Sequence, residues 1–433
     1  MTTNQPQPNL PQTKVPQPKV LGTAPRWFFS VGEPSGDLHA SNLMRCMRHH
    51  APDTRFRGFG GARMLDSGLE RDFDLTSMAV MGIAEVLPKL RQFFRLADQA
   101  EDIFRHNEVD AVVVVDFPGF NWHIAKRAKK HGIPVYYYLP PQLWAWGSWR
   151  VAKMRRSVDH VLCNLPFEKA WFESHDVPCT YVGHPFFDAV ASTPLDARFM
   201  HRWRDPARLQ VAVLPGSRNH EVHHNWPLQL QVIRNLARQF PEVEFLVATL
   251  KESHEAWCRA QLQPSDDRLP LSLFSGKTSE ILELSECVLM KSGSVSLEVM
   301  ARAKPAVVMY HVSHSTYAMG KLLVHCKSIS LPNLIADSMV MPEFISHGSV
   351  ASRSAARSVE GITQAMSRLL GDAEYRQSQK QSLQELSLRY ARPGASDMAS
   401  RWLLSQFSSE VATHALPSQA ASATRPVARP KAA

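Results

Sequence analysis

The sequence predicts an α/β protein in which two parallel-sheet domains face each other across a cleft. Short apolar runs of roughly five residues alternate with helical stretches along most of the chain, which is the spacing of βαβ units. The pattern occurs twice, on either side of a polar stretch at 191–208 that reads as a connector. The most apolar run, 112–115, is four consecutive valines, as expected of a strand buried on both faces of a parallel sheet.

In the first half, 27–31 is the opening strand. Gly32-Glu33-Pro34-Ser35-Gly36-Asp37 turns it into a helix reaching about residue 49. Further strands are expected at 54–58, 111–116, 135–139, 158–163 and 180–182. In the second half they are expected at 210–214, 244–249, 271–274, 287–290 and 306–310. Helices follow at 359–370, 374–390 and 395–407, the last with Met398, Trp402 and Phe407 on its apolar side. The division is therefore a first domain over 27–200, a second over 201–375 and C-terminal helices over 376–408. Residues 1–26, rich in Pro, Gln and Asn, and 409–433, rich in Ala, Pro, Ser and Thr, are expected to be disordered tails.

The chain has 433 residues, of which 44% are hydrophobic and 21% charged, as in a globular protein with more than one core. No stretch approaches the ~18 continuous apolar residues of a membrane span, and the first 26 residues lack the apolar core of a signal peptide. Six scattered cysteines, none in a Cys-x-x-Cys pair, suit reduced thiols in a cytosolic protein. The net charge of +9 invites a nucleic-acid reading, but residues 1–26 and 411–433 each carry three of those charges. What remains local is the cluster Arg150, Lys153, Arg155 and Arg156. It reads either as a solvated helix face or as a contact for phosphates or an anionic membrane.

Asp116 follows the valine run and precedes Phe117-Pro118-Gly119. Ligands of open α/β sheets sit outside the carboxyl ends of the strands, so Asp116 stands where a catalytic acid or base belongs. The alternative is a carboxylate capping the next helix. Two loops in the second half suit a nucleotide. Leu214-Pro215-Gly216-Ser217-Arg218 and Lys291-Ser292-Gly293-Ser294 each leave a strand and open a helical segment. Small residues let the backbone approach a phosphate, free N–H groups at a helix start favour an anion, and Arg218 adds a fixed charge. Glu298 suits either a ribose diol or a capping box with Ser294. His220-Glu221-Val222-His223-His224 fits H-E-x-x-H, but zinc chemistry needs those residues in a regular helix, and Pro227 implies a short or kinked turn. A polar entry beside an anion site is the reading preferred. No metal is expected.

The chain resembles the lipid-A-disaccharide synthases over most of 27–405. The resemblance rests on the loops quoted above at 32–37, 214–218 and 292–298, and on Ala79-Val80-Met81-Gly82-Ile83-Ala84-Glu85-Val86. Asp116-Phe117-Pro118-Gly119-Phe120-Asn121, Pro141-Gln142-Leu143-Trp144-Ala145-Trp146, Leu165-Pro166-Phe167-Glu168, Gly183-His184-Pro185 and Leu331-Pro332-Asn333-Leu334 complete it. It implies a GT-B architecture, two Rossmann-like domains across a cleft with a C-terminal helix crossing back. It also implies an inverting transfer from UDP-2,3-diacylglucosamine to 2,3-diacylglucosamine 1-phosphate, without a cofactor. On this resemblance Asp116 is the general base. Gly216, Ser217, Arg218, Ser292, Gly293, Ser294, Glu298 and Asn333 serve the donor, and Glu33, Ser35, Gly36 and Asp37 form a loop facing the cleft. Some members carry a second acid where this chain has Gly119, and a Thr where it has Ser294.

The apolar segment 78–88 is too short to span a bilayer and reads either as core packing or, on the resemblance, as an acyl or membrane contact. Val80, Met81, Ile83, Val86, Leu87 and Phe93 are its candidates. The expected partners are the two glycolipid substrates, the cytoplasmic face of the inner membrane as a peripheral surface and a second copy of the chain, with no nucleic acid. Rival classes are another UDP-sugar enzyme of the same architecture, an RNA binder using Trp144, Trp146 and Trp149, and a zinc hydrolase.

Overall fold

A computed structural model describes residues 24–79, 90–324 and 326–407. The tails expected to be disordered lie almost wholly outside these residues. So do the candidate contacts Val80, Met81, Ile83, Val86 and Leu87.

The first half forms β1 (Arg26–Val31), β2 (Arg55–Phe59), β3 (Leu69–Phe73), β4 (Ala111–Val115), β5 (Val135–Tyr138), β6 (His160–Cys163) and β7 (Cys179–Tyr181). They make one seven-stranded parallel sheet in the order β3-β2-β1-β4-β5-β6-β7. The second half forms β8 (Leu209–Leu214), β9 (Val243–Thr249), β10 (Leu271–Ser275), β11 (Cys287–Lys291), β12 (Ala306–Val312) and β13 (Glu343–His347). These make a six-stranded parallel sheet ordered β10-β9-β8-β11-β12-β13. The expected α/β architecture of two Rossmann-like sheets is thus the observed one.

The valine run is buried on both faces, as its composition requires. Val112 and Val114 pack into one core with Phe28 and Tyr137, and Val113 and Val115 into another with Trp27 and Phe29. The two strands absent from the sequence reading, β3 and β13, are both sheet edges. Leu69-Glu70-Arg71-Asp72-Phe73 carries three charges, which protects an edge from mispairing and hides the strand from a hydrophobicity reading.

The C-terminal helix Ala395–Ser405 crosses back to the first sheet, where Ala399, Leu403 and Phe407 close the core over Trp27 and Phe29. Trp402 stacks on His160 at 4.1 Å. Met398 does not share that face; it is 39% exposed. The carboxylate of Asp188 fixes the crossing by accepting the N–H groups of Gly394 (2.6 Å), Ala395 (3.2 Å) and Ser396 (2.9 Å). The polar stretch after 190 holds the helix Ala197–Trp203, whose Phe199 and Trp203 pack edge-on against Phe274 of β10.

Candidate active site

Each sheet reverses its strand order once, between β1 and β4 in the first and between β8 and β11 in the second. Such switch points leave a crevice at the carboxyl ends of the strands. Val31 pairs with Val115, so the loop at 32–37 and Asp116 leave the first sheet side by side. Leu214 pairs with Met290, so the two loops expected to hold a nucleotide leave the second sheet side by side.

Asp116 and Phe117 both occupy the left-handed region, at φ 48° and 42°. That conformation costs an ordinary residue about 1–3 kcal/mol and persists only where its surroundings enforce it. Asn121 enforces it, donating from Nδ2 to the carbonyls of Asp116 (2.8 Å), Val115 (3.0 Å) and Ser30 (3.2 Å). The hydroxyl of Tyr137 donates to the same Asp116 carbonyl at 2.7 Å. Gly32 is required here too, because a Cβ on it would lie 2.3 Å from the Phe117 ring.

Asp116 does not cap the following helix Pro118–Lys130. The residue at that position is Phe117, with no side-chain hydrogen bond to the helix. The carboxyl of Asp116 is pushed up to about 7, first by burial and then by the charge of Glu33. A Cβ on Gly36 would lie 3.3 Å from its Oδ2, so that loop lies against the carboxylate. Pro34 and Ser35 are exposed in the first turn of the helix Pro34–His50, which begins inside the expected loop.

Asp37 has a different place from the one expected. Its carboxylate accepts the N–H groups of Gly61 (2.8 Å), Arg63 (3.1 Å) and Met64 (3.2 Å), capping the helix Ala62–Asp66 and not facing a cleft. Phe93, expected at the acyl surface, is half-buried against Phe117 and Phe120, with centroids at 6.0 and 5.5 Å. The exposed ring beside it is Phe94.

In the second sheet the organising residue is Glu221. Its Oε2 accepts the N–H of Ser217 (3.0 Å) and of Arg218 (3.2 Å), and Lys291 Nζ reaches its Oε1 at 2.8 Å. Gly216, at φ 137°, leaves room for this carboxylate, since a Cβ there would meet Glu221 Cβ at 2.7 Å. The N–H groups expected to be free for an anion are thus held by the chain's own acid. The Arg218 guanidinium also lies 3.7 Å from Glu221 Oε1, but its side chain is 68% exposed and open to a ligand.

The helix after this loop, Asn219–Gln239, runs through Pro227 without ending, contrary to the short or kinked turn expected. Burial of Val222, Trp226, Leu230, Ile233 and Leu236 on one face outweighs the ~3 kcal/mol that an interior proline costs. The H-E-x-x-H residues are therefore helical, but Glu221 is tied to Lys291. Among the described residues, no three His, Cys, Asp or Glu side chains converge as metal ligands do.

Ser292 donates to the carbonyl of Ile329 at 2.6 Å, and Ser294 is exposed at the start of the helix Val295–Ala301. Glu298 is buried, with Oε1 held by Arg302 at 3.0 Å. Asn333, expected near the donor, is 1% exposed. Its amide serves the segment behind it, donating to Met341 O (2.8 Å) and Glu343 Oε1 (2.7 Å) and accepting the N–H groups of Val340 and Met341 (both 2.9 Å). Glu343 also takes the N–H groups of Ile329 and Ser330, so Asn333 positions the loop that Ser292 touches.

Two further motifs join in space. Trp144 Nε1–H donates to the buried Glu168 at 2.9 Å. Burial pushes the Glu168 carboxyl up to about 7 against the hydrogen bonds from Trp144, Leu165 and Asn164.

The family model for lipid-A-disaccharide synthetase matches residues 27–392. The chain belongs to the lipid-A-disaccharide synthetase family. It is 36% identical to the lipid-A-disaccharide synthase of Psychromonas ingrahamii over 343 residues, 79% of this chain and 88% of the relative. To the synthase of Geobacter sulfurreducens it is 30% identical over 390 residues, covering 90% of this chain and 99% of that one. Its fold is shared more widely. The MnaA–UDP structure from S. aureus superposes with a TM-score of 0.61 at 12% identity, covering 88% and 95% of the two chains. The UDP-GlcNAc 2-epimerase from Neisseria meningitidis bound to UDP-GlcNAc does so with 0.58 at 14%, covering 88% and 99%. As a member of the lipid-A-disaccharide synthetase family, the protein is a glycosyltransferase of lipid A biosynthesis that uses a nucleotide sugar. Among the described residues, no helix is long and apolar enough to cross a membrane.

Proposed function

We propose that the protein transfers 2,3-diacylglucosamine from UDP-2,3-diacylglucosamine to the 6-hydroxyl of 2,3-diacylglucosamine 1-phosphate, with Asp116 as the general base. The observation that carries the assignment is a carboxylate with a raised pKa, set on a strained turn at the switch point of its sheet. A sugar hydroxyl is a poor nucleophile until its proton is taken, and a base poised near neutrality serves this best. The attacking oxygen forms the bond to C1 as the bond to the UDP oxygen breaks, inverting the anomeric carbon. Asp116 takes the hydroxyl proton and UDP leaves with the electron pair. Arg218 stabilises the charge gathering on the diphosphate. Gly216, Ser217 and the loop at 292–294 shape that pocket, with Glu298 at its rear. Sheet by sheet, 27–200 then carries the acceptor and 201–375 the donor.

The substrates are lipids, and the exposed apolar side chains suit a peripheral contact with the cytoplasmic face of the inner membrane. Trp146 of the first half and Val324 of the second form an antiparallel bridge. Around it Trp149, Met319 and Leu322 are 65%, 58% and 77% exposed. Arg150, Lys153, Arg155, Arg156 and Lys321 supply positive charge for anionic headgroups.

UDP release from the diacylated donor and acceptor tests the central assignment. Asp116→Ala is expected to lose at least ~10²-fold in turnover with an unchanged circular dichroism spectrum. Turnover near that of the wild type refutes the base.

A further inference from the structure

A cavity of about 530 Å³ opens at the carboxyl end of β13, lined by none of the residues assigned to the transfer reaction. The helix His314–Leu323, β13 and the first turns of the helix Arg353–Gly371 line it, and it is open to solvent on one side. Its wall carries Arg353, Arg357, His314 and His347 and no carboxylate. Both arginines are exposed, and among the described residues neither pairs with an acid. At the base, Ser358 is 6% exposed and its hydroxyl has no hydrogen-bond partner among the described residues. A buried hydroxyl without a partner is costly unless a ligand completes it.

The rim is fixed before any ligand arrives. Ser352 donates to the carbonyl of His347 at 2.9 Å and accepts the N–H of Ala355 at 3.1 Å, and the N–H of His347 donates to Ser354 at 3.2 Å. His314 and His347 share a hydrogen bond between their Nδ1 atoms at 3.0 Å, and Tyr317 stacks on His347 at 4.1 Å. The helix at 353–371 also brings the positive end of its dipole to this wall.

We infer that this cavity binds a phosphate group, gripped by Arg353 and Arg357 and hydrogen-bonded by Ser358. Guanidinium forks match phosphate oxygens in spacing and charge, and a wall free of carboxylates does not repel them. The cavity lies on the edge of the sheet that carries the loops after β8 and β11. The helix lining it ends at Leu323, and the next residue, Val324, pairs with Trp146 of the first half. Either the 1-phosphate of the acceptor or the headgroup of an anionic lipid supplies that chemistry. The choice between them rests on the transferase reading; the phosphate site does not.

Calorimetric titration of the full chain, with UDP saturating the nucleotide site, tests the inference. Inorganic phosphate and glucosamine 1-phosphate are expected to bind, and glucosamine is not. Arg353→Ala/Arg357→Ala is expected to weaken both phosphate probes at least ~10-fold, with partial recovery in the double Lys variant. Ser358→Ala weakens them less. If the acceptor supplies the phosphate, the double Ala variant raises the acceptor KM ~10-fold and leaves the donor KM unmoved. If a membrane headgroup supplies it, the acceptor KM holds and cosedimentation with phosphatidylglycerol vesicles is weakened. Equal affinity in wild type and the double variant, or no heat with either phosphate probe, overturns the site. A wild-type chain that released no UDP would defeat the substrate assignment and leave the titration result standing.

Discussion

Lys291 Nζ lies 2.8 Å from Glu221 Oε1, and their side chains are only 12% and 2% exposed. This pair ties the loop after β8 to the loop after β11, and so holds together the two segments expected to cradle the UDP diphosphate. Breaking a buried pair by removing one partner costs about 3–5 kcal/mol, because the other charge is left uncompensated. Lys291→Met is therefore expected to lower the urea midpoint by that equivalent and weaken UDP binding. An unchanged midpoint would mean that the pair is solvated and the loops stand independently.

The same pair gives a pH dependence. Burial pulls the Glu221 carboxyl upward, but the hydrogen bond and charge of Lys291, with the Ser217 and Arg218 N–H groups, bring it net below the usual carboxylate value. Such a group stabilises the fold above its unfolded pKa, and the contribution is lost as pH falls through the lower folded value. Wild type should lose stability toward acid more steeply than Glu221→Gln, as followed by thermal melts from neutral to acid pH.

Asp116 has the opposite sign. With its folded pKa up at about 7, the folded protein holds a proton that the unfolded chain releases near 3.8, so this residue costs stability as pH rises between those values. Asp116→Asn should melt higher than wild type at pH 8 while losing activity. A lower melting temperature would show that the carboxylate is held by interactions that favour its charged form.

Glu33 offers a test of the base that leaves Asp116 in place. Its charge is the second cause of the Asp116 shift, after burial. Glu33→Gln should move the acid limb of the pH–rate profile to lower pH, because less repulsion opposes ionisation. An acid limb that does not move would assign the ionisation to another group.

Asp188 should be a folding determinant. It accepts three N–H groups at the start of the helix Ala395–Ser405, more than two hundred residues later. Asp188→Ala is expected to cost about 1–2 kcal/mol, as for loss of a helix cap. Hydrogen exchange should accelerate first in that helix; uniform acceleration across the chain would contradict its local role.

Much of the fold was readable because parallel strands buried on both faces are nearly continuous apolar runs. Eleven of the thirteen strands were expected from the sequence, and the two that were not, β3 and β13, lie at sheet edges. Asp116 was legible as a candidate from its position after the valines. Asn121, although part of the same motif, and Tyr137 gave no sign of holding its turn, because the bonds come from the packed faces of the following helix and the next strand. Glu221 was visible only as part of a zinc-like motif, whose spacing says nothing of the Lys291 seventy residues away.

The sequence by itself determined the α/β class, the two sheets, the family and the acid at the end of the fourth strand. All of these depend on local patterns of burial and on short ordered motifs. Only the tertiary structure decided which polar groups are free. Asp37 and Asn333, which read as site residues, have their hydrogen-bonding atoms occupied by neighbouring backbone, while Arg353, Arg357 and Ser358, which drew no notice, stand open around a cavity. The reason is physical. A hydrogen-bonding group acts on a ligand only if the fold has not already satisfied it, and that depends on partners brought together by packing rather than by order along the chain.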